Sequence, residues 1–385
     1  MNIVHISPSS PYNDYWGYQE NILPKYHRKM GYDVSLITTV KKHQNGIVVE
    51  GEASDYILKD GVRVIRRKYR SILTKVFSNF ISYIPLLDLL NELKPDLIFY
   101  HGLISCTVFE VVKYKKTHPN CVIIQDNHLD YNIGFKQKTI KQKLIRSWYR
   151  LLNRKSSKYV SKVYGVTPWR KEYARDYFRI PEDKLDVLIM GGDDENMNLL
   201  ERNEIRNKIR AEYKINNDDF LIVTGGKINR NKKIDVLIKA CMCMPNVKLM
   251  IFGSVADEIA DEFKQLVENA PNVFMIGWVE SNDVYKYFYA ADLVFFPGQH
   301  SVLWEQACAS KVPCVFEKWV GMEHVNNGGN SDFVSTITIE EIQHKLSELV
   351  FTEKYYSMKS ISESSRTDIY LYSEIAKKSL ECLNA

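Results

Sequence analysis

Short apolar segments with strand character alternate with helical periodicity along most of the chain, in two successive series. The first starts at once. Residues 2–7 read as a strand, and 19–30 as a helix with Ile22, Leu23 and Tyr26 on one face and Gly31 as its stop. Residues 32–39 read as the next strand, and a β-α-β start of this kind favours a parallel pair with a right-handed crossover. Residues 62–65, 96–100, 121–125, 163–166 and 185–190 extend the series. The second series has strands at 220–224, 247–252, 273–276, 293–296 and 313–316, and helices at 233–242, 257–269, 281–290 and 304–309. The expected fold class is therefore α/β: two doubly wound domains facing a cleft. A chain of 385 residues agrees, because one core seldom grows past about 250–300 residues.

Composition narrows the function classes. With 45% hydrophobic and 26% charged residues the chain is ordinary globular material, which excludes a disordered or fibrous protein. A net charge of +5 is too small to imply nucleic acid, and no nucleic-acid partner is expected. There is no run of 18 apolar residues, and the N-terminus lacks the pattern of a secretory signal. Seven scattered cysteines without a C-x-x-C pair fit buried thiols in a reducing compartment and no metal site. One segment stands apart. Residues 131–171 hold twelve Lys or Arg and no acidic residue, with Trp148 and Tyr149 among the charges. An interfacial helix touching an anionic membrane is expected there, with a solvated or core-packed basic helix as the equal alternative.

In open parallel sheets ligands collect beyond the carboxyl ends of the strands. After 220–224 come Gly225-Gly226-Lys227, then Arg230, Lys232 and Lys233; glycines that expose amides beside lysines suit a diphosphate. After 293–296 come Pro297-Gly298-Gln299-His300-Ser301-Val302, and then a helix that carries Glu305 in its first turns, where a carboxylate can accept from ribose hydroxyls. Ser301 as a helix cap is the plainer reading of that loop. After 121–125 come Asp126-Asn127-His128, a carboxylate and an imidazole able to face an acceptor hydroxyl. His101 after 96–100 is a similar acceptor-side candidate. The loop Tyr15-Trp16-Gly17-Tyr18, before the first helix, offers aromatics that stack on a sugar or staple the helix.

Together these segments resemble the retaining glycosyltransferases of the GT-B fold, which has two Rossmann-like domains, and most closely glycosyltransferase family 4 (group 1). Gly226-Lys227-Ile228-Asn229-Arg230-Asn231-Lys232-Lys233-Ile234-Asp235 is similar to the family's G-R-L-x-x-x-K-G-x-D stretch. Residues 250–253, ending in Gly253, are similar to its strand that closes on glycine. Gly277-Trp278-Val279 resembles its G-x-V segment near the nucleobase, and Glu305-Gln306-Ala307 with Pro313 resembles its E-A…G-x-P helix. The resemblance implies that Lys227 and Lys232 hold a donor diphosphate and that Glu305 binds ribose. It also implies that residues 298–302 pack on phosphate and sugar, and that His128 or Asp126 takes the acceptor-side catalytic position. It implies no bound cofactor or metal, with a UDP- or GDP-sugar as donor substrate. Three departures stand out: Lys227 replaces Arg, Lys233 replaces Gly, and the family's E-x7-E pair is missing because Pro297 stands eight residues before Glu305. His300 or Gln299 is the candidate to fill the lost role.

The expected domains are 1–190, acceptor-binding and completed by a C-terminal helix at 366–385, and 191–365, donor-binding. The expected function is sugar transfer, by the retaining route, from a nucleotide sugar to a saccharide or lipid-linked acceptor. The setting expected is bacterial surface polysaccharide synthesis (capsule, O-antigen or exopolysaccharide), in the cytoplasm or peripheral on the inner face of the membrane. A non-catalytic GT-B-like partner subunit and a nucleotide-sugar epimerase are the alternatives. His128 is expected to line the cleft, opposite residues 298–301.

Overall fold

The computed structural model describes residues 1–44, 47–71, 82–132 and 139–383. It divides into two compact units: Met1–Ile189 with Ile375–Ala385, and Met190–Glu374. The chain therefore rejoins unit one at Ile375, inside the helix Tyr372–Ser379, and not at 366. Residues 365–370 form a 3-10 turn of unit two.

Unit one is built on eight strands: β1 (Asn2–Ser7), β2 (Asp33–Thr39), β3 (Ser54–Ile57), β4 (Arg63–Arg67), β5 (Leu97–His101), β6 (Val122–Asn127), β7 (Lys162–Gly165) and β8 (Leu185–Val187). Across the sheet they run β8-β7-β6-β5-β1-β2-β4-β3. All neighbours are parallel except β3, which pairs antiparallel with β4. Central strands such as β1 and β6 are buried at nearly every position, as helices on both faces require. The order reverses between β1 and β5, so their carboxyl ends mark the switch point where such sheets bind ligands. The edge strand β3 and the hairpin Lys41–Gln44 with Ile47–Glu50 have no counterpart in the sequence reading. All three strands are mostly exposed; Lys41–Gln44 and β3 are largely polar, whereas Ile47–Glu50 is apolar but too short, at four residues, to show a buried face.

Unit two has a six-stranded, all-parallel sheet: β9 (Phe220–Gly225), β10 (Val247–Phe252), β11 (Val273–Gly277), β12 (Leu293–Phe296), β13 (Cys314–Glu317) and β14 (Ser331–Val334), in the order β11-β10-β9-β12-β13-β14. Its switch point lies between β9 and β12. The polar segment 196–219, which stands between the two strand series, is a helical part of this unit. Arg206 and Arg210 of the helix Arg202–Glu212 both bind Asp292, at 2.6 and 3.1 Å. Those two arginines serve the ion pair, while most other polar residues of the segment face solvent.

The basic segment changes meaning. Residues 133–138 lie outside the described residues. The helix Ile140–Ser156 begins with a Thr139–Gln142 capping box and buries Ile145, Tyr149 and Leu152. Trp148 packs against the core and places its Nε1 3.4 Å from Cys106 Sγ. Trp148 and Tyr149 are thus core residues. The exposed apolar positions are Ile140, Leu144 and Leu151, which lie on one helical face among Lys141, Lys143, Arg154 and Lys155. All seven cysteines are free, and five are buried while Cys243 is exposed.

Candidate functional site

In unit two, the loops after β9 and β12 are locked together. Gly298 has no room for a side chain: a Cβ there would come within 2.4 Å of Asn231 O and 2.5 Å of Lys232 Cα. Gln299 N donates to Asn231 O at 2.9 Å, and Lys232 Nζ donates to Gln299 O at 2.5 Å. Gly226 (φ +106°) and Gly253 (φ +119°) cross at the ends of β9 and β10, where a Cβ on Gly253 would fall 1.9 Å from Gly226 O. The glycines visible in the sequence are therefore the places where three strand-end loops touch.

The neighbouring lysines differ in role. Burial pushes the Lys232 ammonium down to about 8, and the carbonyl of Gln299 is its hydrogen-bond acceptor. Lys227 is exposed. Lys233 lies in the left-handed region (φ +51°), which accounts for the glycine usual at that place, and its ammonium is tied to Glu317. Replacing Lys233 by glycine removes about 1 kcal/mol of backbone strain and loses one partly exposed ion pair. The melting temperature of that variant should move by no more than about 4 °C and transfer should persist, measured by thermal unfolding and product formation.

Glu305 is not open to a ligand. It is fully buried, and its Oε1 accepts from His300 Nε2 and His324 Nε2, each at 2.8 Å. Burial would raise its carboxyl, but the two imidazoles outweigh this and hold it at about 2. The stability it contributes is present above the ordinary carboxylate range and is lost as pH falls towards 2. Its Oε2 is buried without a protein partner, as is Ser301 Oγ. Ser301 is no side-chain cap, since the helix Leu303–Ala309 starts after Val302 with none. His324 is the member of this cluster that the sequence does not signal, because it lies in a single 3-10 turn, Glu323–Val325, 19 residues from Glu305. Trp278 stands 67% exposed just after β11, with Val279 half-buried beside it.

In unit one, Asp126 is the hub. Its Oδ2 accepts from His101 Nδ1 at 2.6 Å, and its Oδ1 from Gly102 N at 2.8 Å. His128 Nε2 lies 3.3 Å from the same Oδ1. Asp126 is fully buried, whereas the His128 side chain is 35% exposed. Burial opposes the charge on Asp126, yet the two imidazoles hold its carboxyl well below the usual range. For His128 burial works downward, and the Asp126 carboxylate prevails and raises it. Two expectations are corrected. Asp126 has no exposed surface to meet an acceptor hydroxyl, and His101 spends both ring nitrogens inside the protein, on Asp126 and on His5. Only His128 of the three is open to solvent. Trp16 is half-buried and stacked on His43 with ring centres 5.3 Å apart, Gly17 is half-buried, and Tyr18 is 50% exposed.

Two clusters, His101–Asp126–His128 and His300–Glu305–His324, bring metal-binding atom types within 4.8 Å of one another. Their closest N···O separations, 2.6 and 2.8 Å, are those of direct hydrogen bonds; two ligands of one zinc ion at about 2.0–2.2 Å would stand farther apart. The residues are paired with each other.

Two family descriptions match successive parts of the chain: Glycosyltransferase Family 4 over residues 23–195, and Glycosyl transferases group 1 over 205–366. A processive diacylglycerol alpha-glucosyltransferase of Acholeplasma laidlawii is 22% identical over 254 residues, covering 61% of this chain and 72% of that protein. Among solved structures, sucrose-phosphate synthase from Thermosynechococcus elongatus superposes with a TM-score of 0.69 at 14% identity, over 100% of this chain and 98% of that one. HepE of Anabaena, in complex with UDP and glucose, gives 0.66 at 16% identity, over 100% and 99%.

Proposed function

The chain belongs to the GT-B glycosyltransferases of group 1, family 4-like, and from that premise we propose that it moves a sugar from a UDP- or GDP-sugar to a saccharide or lipid-linked acceptor in bacterial surface polysaccharide synthesis. The observation that carries the donor assignment is the locked pair of loops at the switch point of unit two, where Lys232 is the half-buried cation. In this reading Lys232 holds the diphosphate with Lys227, and Gly226, Gly253 and Gly298 let backbone approach it. Trp278 and Val279 flank the nucleobase, and His300, Ser301 and Val302 border the sugar. A leaving diphosphate needs cations and hydrogen-bond donors more than it needs proton transfer, which this loop set supplies. Glu305 reaches ribose only through its unpaired Oε2, with His300 moving aside; otherwise it orients His300 towards the sugar.

On the acceptor side His128 is the catalytic residue of this reading, and Asp126 positions it. Trp16, Gly17 and Tyr18 offer surface to a sugar ring. Retention of configuration follows from the resemblance, with Pro297 in place of the first glutamate. The anomeric configuration of the product, read by proton NMR, decides it. HepE's complex with UDP and glucose favours a uridine donor. A thermal-shift series with UDP, GDP, ADP and their sugars tests this: the true donor nucleotide at 100 times its Kd should add about 2.7 kcal/mol of stability. No response to any nucleotide would remove the donor site.

The lipid-linked option draws on the Acholeplasma relative, whose name specifies a diacylglycerol acceptor. No helix among the described residues is long and apolar enough to cross a membrane. The helix Ile140–Ser156 instead presents Ile140, Leu144 and Leu151 between lysines and arginines, a pattern that suits the surface of an anionic bilayer. Co-sedimentation with anionic vesicles should fall at high salt, and Leu144→Glu with Leu151→Glu should abolish it without lowering the melting temperature. Equal binding to neutral vesicles would count against the contact.

A further inference from the structure

A file of buried polar side chains crosses unit one and ends on Asp126. Ser379 Oγ lies 2.8 Å from His27 Nε2; His27 Nδ1 lies 3.0 Å from His5 Nε2; His5 Nδ1 lies 3.0 Å from His101 Nε2; and His101 Nδ1 lies 2.6 Å from Asp126 Oδ2. His5, His27, Asp126 and Ser379 are fully buried, and His101 is 5% exposed. The sheet register explains the alignment. In parallel pairing His5 stands opposite Phe99, two residues before His101, and Asp126 stands opposite His101, so the three side chains share one face. The helix Gln19–Lys29 supplies His27.

We propose that His27, His5 and His101 are positioning residues: the file carries one excess proton, lodged against Asp126, and Ser379 sets its polarity, so that the charge seen by His128 is fixed from the C-terminal helix. The file has four junctions, and each holds one hydrogen. The Ser379 hydroxyl donates to Ala376 O at 2.7 Å and so accepts from His27, and the Ala376 backbone, which also bonds His27, acts in the same sense. The Asp126 carboxylate likewise only accepts. Hydrogens must therefore be donated outward at both ends. Three neutral imidazoles bring three hydrogens for four junctions, so one ring is an imidazolium.

Its place follows from the surroundings. Burial pushes His5 and His27 down, the latter to about 3, and only His101 touches a carboxylate. In the resulting arrangement His27 and His5 each carry their hydrogen on Nε2, and His101 carries both. If Ser379 instead turned its hydroxyl to His27, its own hydrogen would fill the first junction and the three imidazole hydrogens the others, all pointing towards Asp126. The two states differ by one proton and by the direction of every donor.

The consequence reaches His128 through Asp126. A proton on His101 neutralises the carboxylate, so His128 gives up its own proton more readily than it would beside a bare anion. Besides Asp126, the charges facing His128 are Glu20, which favours its proton, and Arg170, which disfavours it. Neutral His128 with its hydrogen on Nε2 towards Asp126 keeps Nδ1 as the nitrogen able to take a proton. The effect on transfer rests on the reading of His128 as the acceptor-side residue; the proton count does not.

The test is nitrogen-15 NMR of histidine-labelled full-length protein near neutral pH, which reads tautomers without any substrate. The expected spectrum has His5 and His27 as Nε2–H tautomers and His101 doubly protonated. Neutral His101 with Nδ1–H tautomers at His5 and His27 would overturn the proposal. Ser379→Ala, nearly isosteric, should reverse His27 to Nδ1–H and raise the apparent pKa of His128 in the pH profile of kcat by on the order of one unit. Ser379→Thr, which keeps the hydroxyl, should restore the wild-type profile. Wild-type tautomers in Ser379→Ala, or a loss of rate equal at every pH, would reduce the file to packing. The expected tautomers in a protein that transfers no sugar would sink the catalytic reading and leave the file standing.

Discussion

Replacing His128 by alanine should lower kcat by about 10²–10⁴-fold while leaving the melting temperature close to that of the wild type. The asymmetry with Asp126 is structural. His128 is 35% exposed and Asp126 is fully buried, so removing the imidazole deletes a group at the surface whereas removing the carboxylate strips the interior. Asp126→Ala leaves His101 Nδ1 and Gly102 N without their acceptor, and breaking a buried charged pair costs on the order of 3–5 kcal/mol. That variant should unfold early, and its lost activity would then say nothing about chemistry. The informative pair is His128→Ala against His128→Gln, with kcat and KM measured separately and folding checked by circular dichroism. Glutamine retains a donor for Asp126 but cannot shuttle a proton, so it should keep KM and lose kcat. Wild-type turnover in either variant would remove His128 from the reaction.

Lys232→Ala should reduce kcat/KM by about 30- to 10³-fold, because a cation set against a leaving diphosphate is worth about 2–4 kcal/mol in the transition state. The pH dependence separates this from general damage. Burial holds the Lys232 ammonium at about 8, so nucleotide affinity should weaken as pH rises through that value. Lys232→Arg stays charged and should bind nucleotide equally across the same range, although its fork fits the site differently. The sign for stability is opposite. Between about 8 and the ordinary lysine value the unfolded chain binds more protons than the folded one, so the free protein should grow more stable over the interval where it binds nucleotide less well. Titration calorimetry with UDP at several pH values checks the first statement, and denaturant melts without ligand check the second. A pH-independent affinity would mean that Lys232 does not touch the phosphate.

The same geometry qualifies Glu305. Its loss empties a buried carboxylate position and deprives His300 and His324 of a shared acceptor, so reduced transfer in Glu305→Ala mixes folding with function. Glu305→Gln keeps the volume and is the variant to compare.

Much of the architecture was legible in the amino-acid sequence. Apolar runs of four to seven residues, punctuated by glycine and proline, report central parallel strands because such strands are buried on both faces whatever lies beside them. Gly226, Gly253 and Gly298 were equally visible, since backbone contact between loops excludes every side chain and leaves glycine as the residue that fits. Other features depended on what each segment meets, which local periodicity does not encode. Trp148 and Tyr149 read equally as membrane-facing or core-packed among their charges, and packing placed them against the core. The arginines of 196–219 gave no sign of a partner in the sequence until Asp292 appeared opposite them. His5 and His27 carried no signal at all, because an isolated histidine in an apolar strand or helix looks the same with a partner as without one. Strand register and two helices packed on the sheet brought residues 5, 27, 101, 126 and 379 into one hydrogen-bonded file. Composition and spacing set which residue types were present; only the tertiary structure decided that Asp126 lies beneath His128 rather than beside it in solvent, because burial and hydrogen-bond partners are properties of neighbours far away in the chain.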